Sequence, residues 1–120
     1  MISSGGEAYS MKEKQEILQS FVAEMKKIFG KSLKKVILYG SYARGDNREN
    51  SDMDIMILTT FTDNEIRAIE NRVYDIAYDY ELSDQVQISV NIKNEEHFNY
   101  WLGALPYYDN IRKEGIVLAG

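Results

Sequence analysis

Residues 36–39 and, apart from Asp54, 53–58 are short apolar runs, and each has beside it a longer stretch whose apolar residues recur every three or four positions. A short continuous run fits a strand covered on both faces, whereas the wider spacing fits a helix with one apolar stripe. Ile17, Leu18, Phe21, Val22, Met25, Ile28 and Phe29 make the first stripe, and Gly30 stands at a C-cap position behind it. Ile66, Ile69, Val73, Ile76, Ala77 and Tyr80 make the second, about five turns opened by Thr62 and Glu65 at capping-box spacing. Residues 85–92 alternate Val86, Ile88, Val90 and Ile92 with polar residues, the period of a strand with one wet face. The order helix, strand, strand, helix, strand predicts an α/β (α+β) domain, a small mixed sheet flanked by helices.

Beyond this core, Asn94 is placed to cap a helix carrying Phe98, Trp101 and Leu102. Pro106 suits the first turn of a further short helix that Gly115 ends. Residues 116–118 fit either a short edge strand or an apolar tail. At the other end, residues 1–10 hold Ser3, Ser4, Gly5 and Gly6 without apolar periodicity and read as a flexible leader, leaving residues 11–120 as a single domain.

Composition narrows the chemistry. With 44% hydrophobic residues the chain can fill a core, and with no cysteine it offers neither disulfide, thiolate ligand nor cysteine nucleophile. Any metal is therefore held mainly by oxygen, which favours Mg²⁺ or Mn²⁺. A formal charge of −5 argues against strong nucleic-acid binding, which rests on many Lys and Arg contacts to phosphate. No stretch has the length and apolarity to span a bilayer, so no membrane partner is expected and a cytoplasmic location is the default.

The informative segment is Gly40-Ser41-Tyr42-Ala43-Arg44-Gly45, followed after residues 46–51 by Asp52-Met53-Asp54. A strand opening into Gly40–Ser41 presents bare backbone amides and one hydroxyl, groups suited to an anion such as a triphosphate. Asp52 and Asp54 are two apart at a strand, so their carboxylates share a face while Met53 and Ile55 take the other. Two such carboxylates repel each other, and a divalent cation that also accepts phosphate oxygens removes the conflict.

Gly40-Ser41, ten intervening residues and Asp52-Met53-Asp54 make a pattern that resembles the minimal nucleotidyltransferases of the polymerase-beta-like superfamily. Ala43-Arg44-Gly45, Ser51 and the C-terminal stretch with Pro106-Tyr107-Tyr108 and Asn110-Ile111-Arg112-Lys113-Glu114-Gly115 match as well. The resemblance implies transfer of a nucleoside monophosphate, AMP from ATP, to a hydroxyl of a protein partner, with Mg²⁺ as cofactor. It further implies an antitoxin of the MNT type, paired with a HEPN-type ribonuclease toxin. Residue by residue, it assigns Gly40, Ser41 and Arg44 to the nucleotide, Asp52 and Asp54 to the metal, and Asp52, Asp54 and Ser41 to catalysis.

One departure stands out: Gln87 occupies the place where fully equipped members of the family carry a third carboxylate. An amide cannot accept a proton from an attacking hydroxyl. Glu81, Asp84 or Asp46 are the candidates to substitute, unless the substrate brings its own base. The alternative is a catalytically weak nucleotide-binding module that neutralises its partner by direct binding. Three other features carry less: Arg44 also fits a surface ion pair, His97 a solvated helix face, and the run Lys26, Lys27, Lys31, Lys34 and Lys35 a solvated surface. The late aromatics Tyr100, Trp101, Tyr107 and Tyr108 fit core and rim packing or an interface.

Overall fold

The computed structural model describes residues 11–45 and 52–120. The expected leader and Asp46, one of the substitute acids, lie outside the described residues. Those residues form helix α1 (Met11–Phe29), a 3₁₀ turn (Gly30–Ser32), strand β1 (Leu33–Tyr39), the one-turn helix α2 (Ser41–Arg44) and strand β2 (Met53–Thr59). Helix α3 (Asp63–Asp84), strand β3 (Ile88–Asn94), helices α4 (Glu95–Trp101) and α5 (Pro106–Glu114) and strand β4 (Ile116–Ala119) follow.

The strands make a mixed sheet of order β3-β2-β1-β4. β1 pairs antiparallel with both β2 and β4, and β2 pairs parallel with β3 through the α3 crossover that a parallel pair requires. Helices cover both faces. Leu18, Phe21, Val22, Met25 and Phe29 of α1 and Ile66, Val73 and Ala77 of α3 pack against Val36, Leu38, Met53, Ile55 and Ile57. On the opposite face Phe98 of α4 and Tyr108 and Ile111 of α5 pack against Ile37, Tyr39, Met56 and Leu58. This double cover explains the mostly apolar sequence of β2: all its residues are buried except Asp54. Each fully buried aliphatic side chain there contributes about 1.5–3 kcal/mol, so a half-buried carboxylate in that strand is costly and needs a reason.

The tail resolves as β4, whose Ile116 and Val117 pair with Leu38 and Ile37 along the free edge of β1. The third strand starts later than its alternation suggests. α3 continues to Asp84, Gln85 caps it in the left-handed conformation (φ 57°) with its N–H on the Glu81 carbonyl, and pairing begins at Ile88 opposite Met53. Val86 is buried in the connection without joining the ladder, which is why the period of two begins early.

Helix starts are as the sequence expects. Thr62 Oγ1 accepts from the Glu65 N–H at 3.2 Å while Glu65 Oε1 accepts from the Thr62 N–H at 2.9 Å. Asn94 accepts from the His97 N–H at 3.0 Å, and Pro106 occupies the first turn of α5. Because Thr62 lies past the C-terminal end of β2, away from Asp54, Thr62→Ala is expected to cost about 1 kcal/mol and to leave transfer activity unchanged. A lower urea midpoint at constant slope, with an unaltered transfer rate, is the result that checks it.

The basic run Lys26, Lys27, Lys31, Lys34 and Lys35 is exposed throughout, as is His97, whose ring centroid lies 6.3 Å from that of Trp101. The late aromatics divide: Tyr108 is buried against Phe98, with ring centroids 4.7 Å apart, whereas Tyr100, Trp101 and Tyr107 are exposed. No helix among the described residues is long and apolar enough to cross a membrane.

Candidate active site

The antiparallel pairing of β1 with β2 sets Tyr39 directly opposite Asp54, and the parallel pairing sets Ser89 on Asp54's other side. Tyr39, Asp54 and Ser89 therefore form one cross-strand row, on the face covered by α4 and α5. Asp52 lies just ahead of β2 and is exposed. Ser89 Oγ donates to Asp52 Oδ2 at 3.1 Å, which ties the first acid to the row of the second. Met53 and Ile55 point into the opposite core layer, so the two carboxylates share a side as their spacing requires.

At the end of β1 the chain turns at Gly40, with φ 75° and ψ −152°, a region of backbone space used essentially by glycine alone. A Cβ at Gly40 would run into the Asp54 carboxylate, overlapping Oδ2 and lying 3.3 Å from Cγ. Turn backbone and acid thus meet with no side chain between them. Ser41 opens α2, half-buried, and Arg44 closes it, exposed.

α2 is anchored from below. Tyr42 sits in the α1–α3 core layer, and Lys14, itself buried on α1, donates from Nζ to the Tyr42 hydroxyl at 2.8 Å. Neither residue had been singled out as functional. The available signal was that Lys14 lies four positions before Leu18, on the apolar stripe, where an unpaired lysine would be expensive.

The electrostatics mark Asp54. Burial first, and then the negative charge of Asp52, raise its carboxyl above the ordinary range, while the Arg44 guanidinium pulls the other way. Arg44 Nη1 also lies 3.7 Å from Glu114 Oε2, both side chains about half exposed, so the ion-pair reading of Arg44 holds and the pair is weak. Deeper in the row, Tyr39 is raised well above the tyrosine range, by burial first and then by its hydrogen bond with Tyr107.

Among the described residues no group of three His, Cys, Asp or Glu side chains is placed to hold a metal. Glu81 and Asp84 belong to α3, which packs on the sheet face opposite Asp54. Gln87 precedes β3, exposed, and its carbonyl accepts from the Met53 N–H at 2.9 Å. Among the described residues the donor set is two carboxylates with an adjacent hydroxyl. That set fits Mg²⁺, which is commonly bound by one or two carboxylates together with substrate phosphates.

A mixed sheet that sets a Gly-Ser turn against an Asp-x-Asp pair is the architecture of a nucleotidyltransferase. The chain belongs to the nucleotidyltransferase domain family, whose model matches residues 18–118. A Methanocaldococcus jannaschii protein provisionally named protein adenylyltransferase MJ0604 is 33% identical over 104 residues, spanning 87% of this chain and 96% of the relative. Among solved structures, a Sulfolobus solfataricus protein described as a nucleotidyltransferase superposes with a TM-score of 0.60 at 19% identity, over 95% of this chain and 90% of that one. A chain from the crystal structure of a toxin–antitoxin with AMP-PNP superposes at 0.52 with 17% identity, over 85% and 73%. These two share the fold; the family and the M. jannaschii relative make the chain a nucleotidyltransferase.

Proposed function

We propose that residues 11–120 form one domain that transfers AMP from ATP to a hydroxyl of a protein partner, and that the chain is the antitoxin of a HEPN-type toxin pair. The close approach of the Gly40 backbone to the Asp54 carboxylate carries this reading, because it sets anion-binding amides beside a cation-binding acid. The name of the M. jannaschii relative supports a protein acceptor and adenylate, and the toxin–antitoxin title of a structural neighbour supports the pairing. A cytoplasmic setting, where ATP and magnesium are both plentiful, suits the reaction.

In this reading Asp52 and Asp54 hold Mg²⁺ or Mn²⁺, and Ser89 fixes the orientation of Asp52 through its hydrogen bond. When bound, the ion supplies charge stabilisation to the phosphates of the donor nucleotide. The amides of Gly40 and Ser41 and the Ser41 hydroxyl receive the triphosphate. Arg44 joins them because an exposed ion pair with Glu114 is readily exchanged for a polyanion. Most of the catalytic effect is then positioning of the α-phosphate against the acceptor.

Gln87 favours a second reading, a binding module that neutralises its partner without turnover. Labelled ATP, magnesium and the protein encoded beside this one separate the two. Label on the partner that disappears with Asp52→Asn is the expected result. Neutralisation that survives both Asp52→Asn and Asp54→Asn, with no label transferred, overturns the enzyme in favour of the module. Supplying the missing acid is the complementary experiment: Gln87→Glu is expected to raise the transfer rate about ten-fold, below the usual range for a well-placed general base. An unchanged rate would remove position 87 from the chemistry.

A further inference from the structure

Tyr107 is the second residue of α5 and about half exposed, yet its hydroxyl is held from two sides. The Tyr39 hydroxyl lies 2.8 Å from it and Asn91 Nδ2 lies 3.4 Å from it, while Asn91 Nδ2 also donates to the Tyr39 oxygen at 2.7 Å. The amide nitrogen can only donate. Either phenol of the 2.8 Å pair can be the donor, and in the arrangement where the Tyr39 O–H donates, it and the Asn91 amide both point at the Tyr107 oxygen. The ring is set as firmly, edge-on to Tyr39 with centroids 6.0 Å apart at 88°.

The location matters as much as the geometry. Tyr39 is the register partner of Asp54, and Asn91 stands two positions beyond Ser89, Asp54's partner on the other side. The Tyr107 oxygen therefore belongs to the sheet face that carries the carboxylate pair. Packing alone gives a weaker account of it: Asn91 by itself satisfies the Tyr39 hydroxyl, and a half-exposed tyrosine needs no protein partner for its own.

We propose that Tyr107 is a nucleotidyl acceptor in cis, so that the chain modifies itself. The inference rests on the nucleotide site described under the proposed function. The Tyr107 oxygen attacks the α-phosphorus of a nucleoside triphosphate seated at the Gly40–Ser41 turn, and an O–P bond forms. The bond between that phosphorus and the oxygen bridging to the β-phosphate breaks, and pyrophosphate leaves with the electron pair. The phenol's proton passes to water at the exposed edge of the ring. The product is a phosphodiester between Tyr107 and a nucleoside monophosphate. Tyr39 is a positioning residue: its O–H stabilises negative charge on the attacking oxygen as the bond forms.

The test uses the whole chain with Mg²⁺ and ATP labelled at the α-phosphate, with no other protein present. Label is expected to stay with the denatured chain, to map by peptide fragmentation to Tyr107, and to be absent from Tyr107→Phe, which keeps the ring. The initial rate per chain is expected to be independent of protein concentration. Tyr39→Phe is expected to slow labelling about 100-fold, the scale for losing one such donor, with the KM for ATP unchanged. Label on another residue, a rate proportional to concentration, or full-speed labelling in Tyr39→Phe overturns the proposal. Calorimetric titration with Mg·ATP on the same preparation distinguishes two kinds of failure. Binding that is lost in Asp54→Asn, together with an unlabelled Tyr107, overturns self-modification alone; no binding at all removes the nucleotide site as well.

Discussion

Asp54→Asn is expected to lower nucleotidyl transfer about a thousandfold while leaving the domain folded. Charge stabilisation by a bound cation is worth several kcal/mol in the transition state, and each 1.36 kcal/mol is a factor of ten in rate. An amide keeps the shape of the carboxylate but is a poor ligand for a hard cation. The fold should not suffer, because Asp54 is the one charged residue of a strand covered on both faces and it sits beside a like charge. A thermal melt in chelator at neutral pH checks the second half, with the variant at least as stable as the native chain. A variant that melts much earlier, or that still transfers nucleotide at the native rate, would contradict the electrostatic account of the pair.

The same pair gives a pH dependence with a definite sign. Burial and Asp52 raise the Asp54 carboxyl in the folded chain, so between its unfolded and folded values the folded state binds more protons than the unfolded one. Stability therefore falls with rising pH across that window. The contribution of Asp54 is fully present below its unfolded value and is lost as pH rises through the folded one. Partial exposure of Asp54 screens the effect, so it is read as a difference between native chain and Asp54→Asn. Without metal that difference should grow from acid toward neutral pH, and added Mg·ATP should reverse it for the native chain alone.

Much of this was legible in local patterns. The stripe of α1, the capping box of α3, the buried run of β2 and the caps at Asn94 and Pro106 each follow from residues close together in sequence, and each formed as expected. The Gly-Ser and Asp-x-Asp segments were legible for the same reason, since one turn and one strand start carry them. What stayed hidden depends on pairing at a distance. Ser89 meets Asp52 only because β3 lies parallel to β2 in one register, and Tyr39, Asn91 and Tyr107 come from β1, β3 and α5. The edge strand β4 was undecidable for a related reason: four residues have too short a period, and the free edge of β1 decides their conformation. Gln85 misled the reading of β3 because a single left-handed residue ends α3 while Val86 already looks like strand.

Gly40→Ala should damage both transfer and stability, for two separable reasons. The first is conformational: the φ and ψ of Gly40 lie where residues with a Cβ are strained by about 1–3 kcal/mol. The second is contact: the added carbon would occupy space held by the Asp54 carboxylate, so the turn or the acid must move. A displacement of about 1 Å at a reacting centre is worth about 100-fold in rate, and transfer should fall by at least that factor along with a drop of several degrees in Tm. Gly45→Ala separates the two causes. Gly45 also has positive φ, 80°, but a Cβ there meets nothing within 4 Å among the described residues. It should lose stability by about 1–2 kcal/mol, the cost of a left-handed L-residue, and keep most of its transfer rate. Equal losses of activity in the two variants would mean that backbone strain, and not the contact between Gly40 and Asp54, is what the turn contributes to the site.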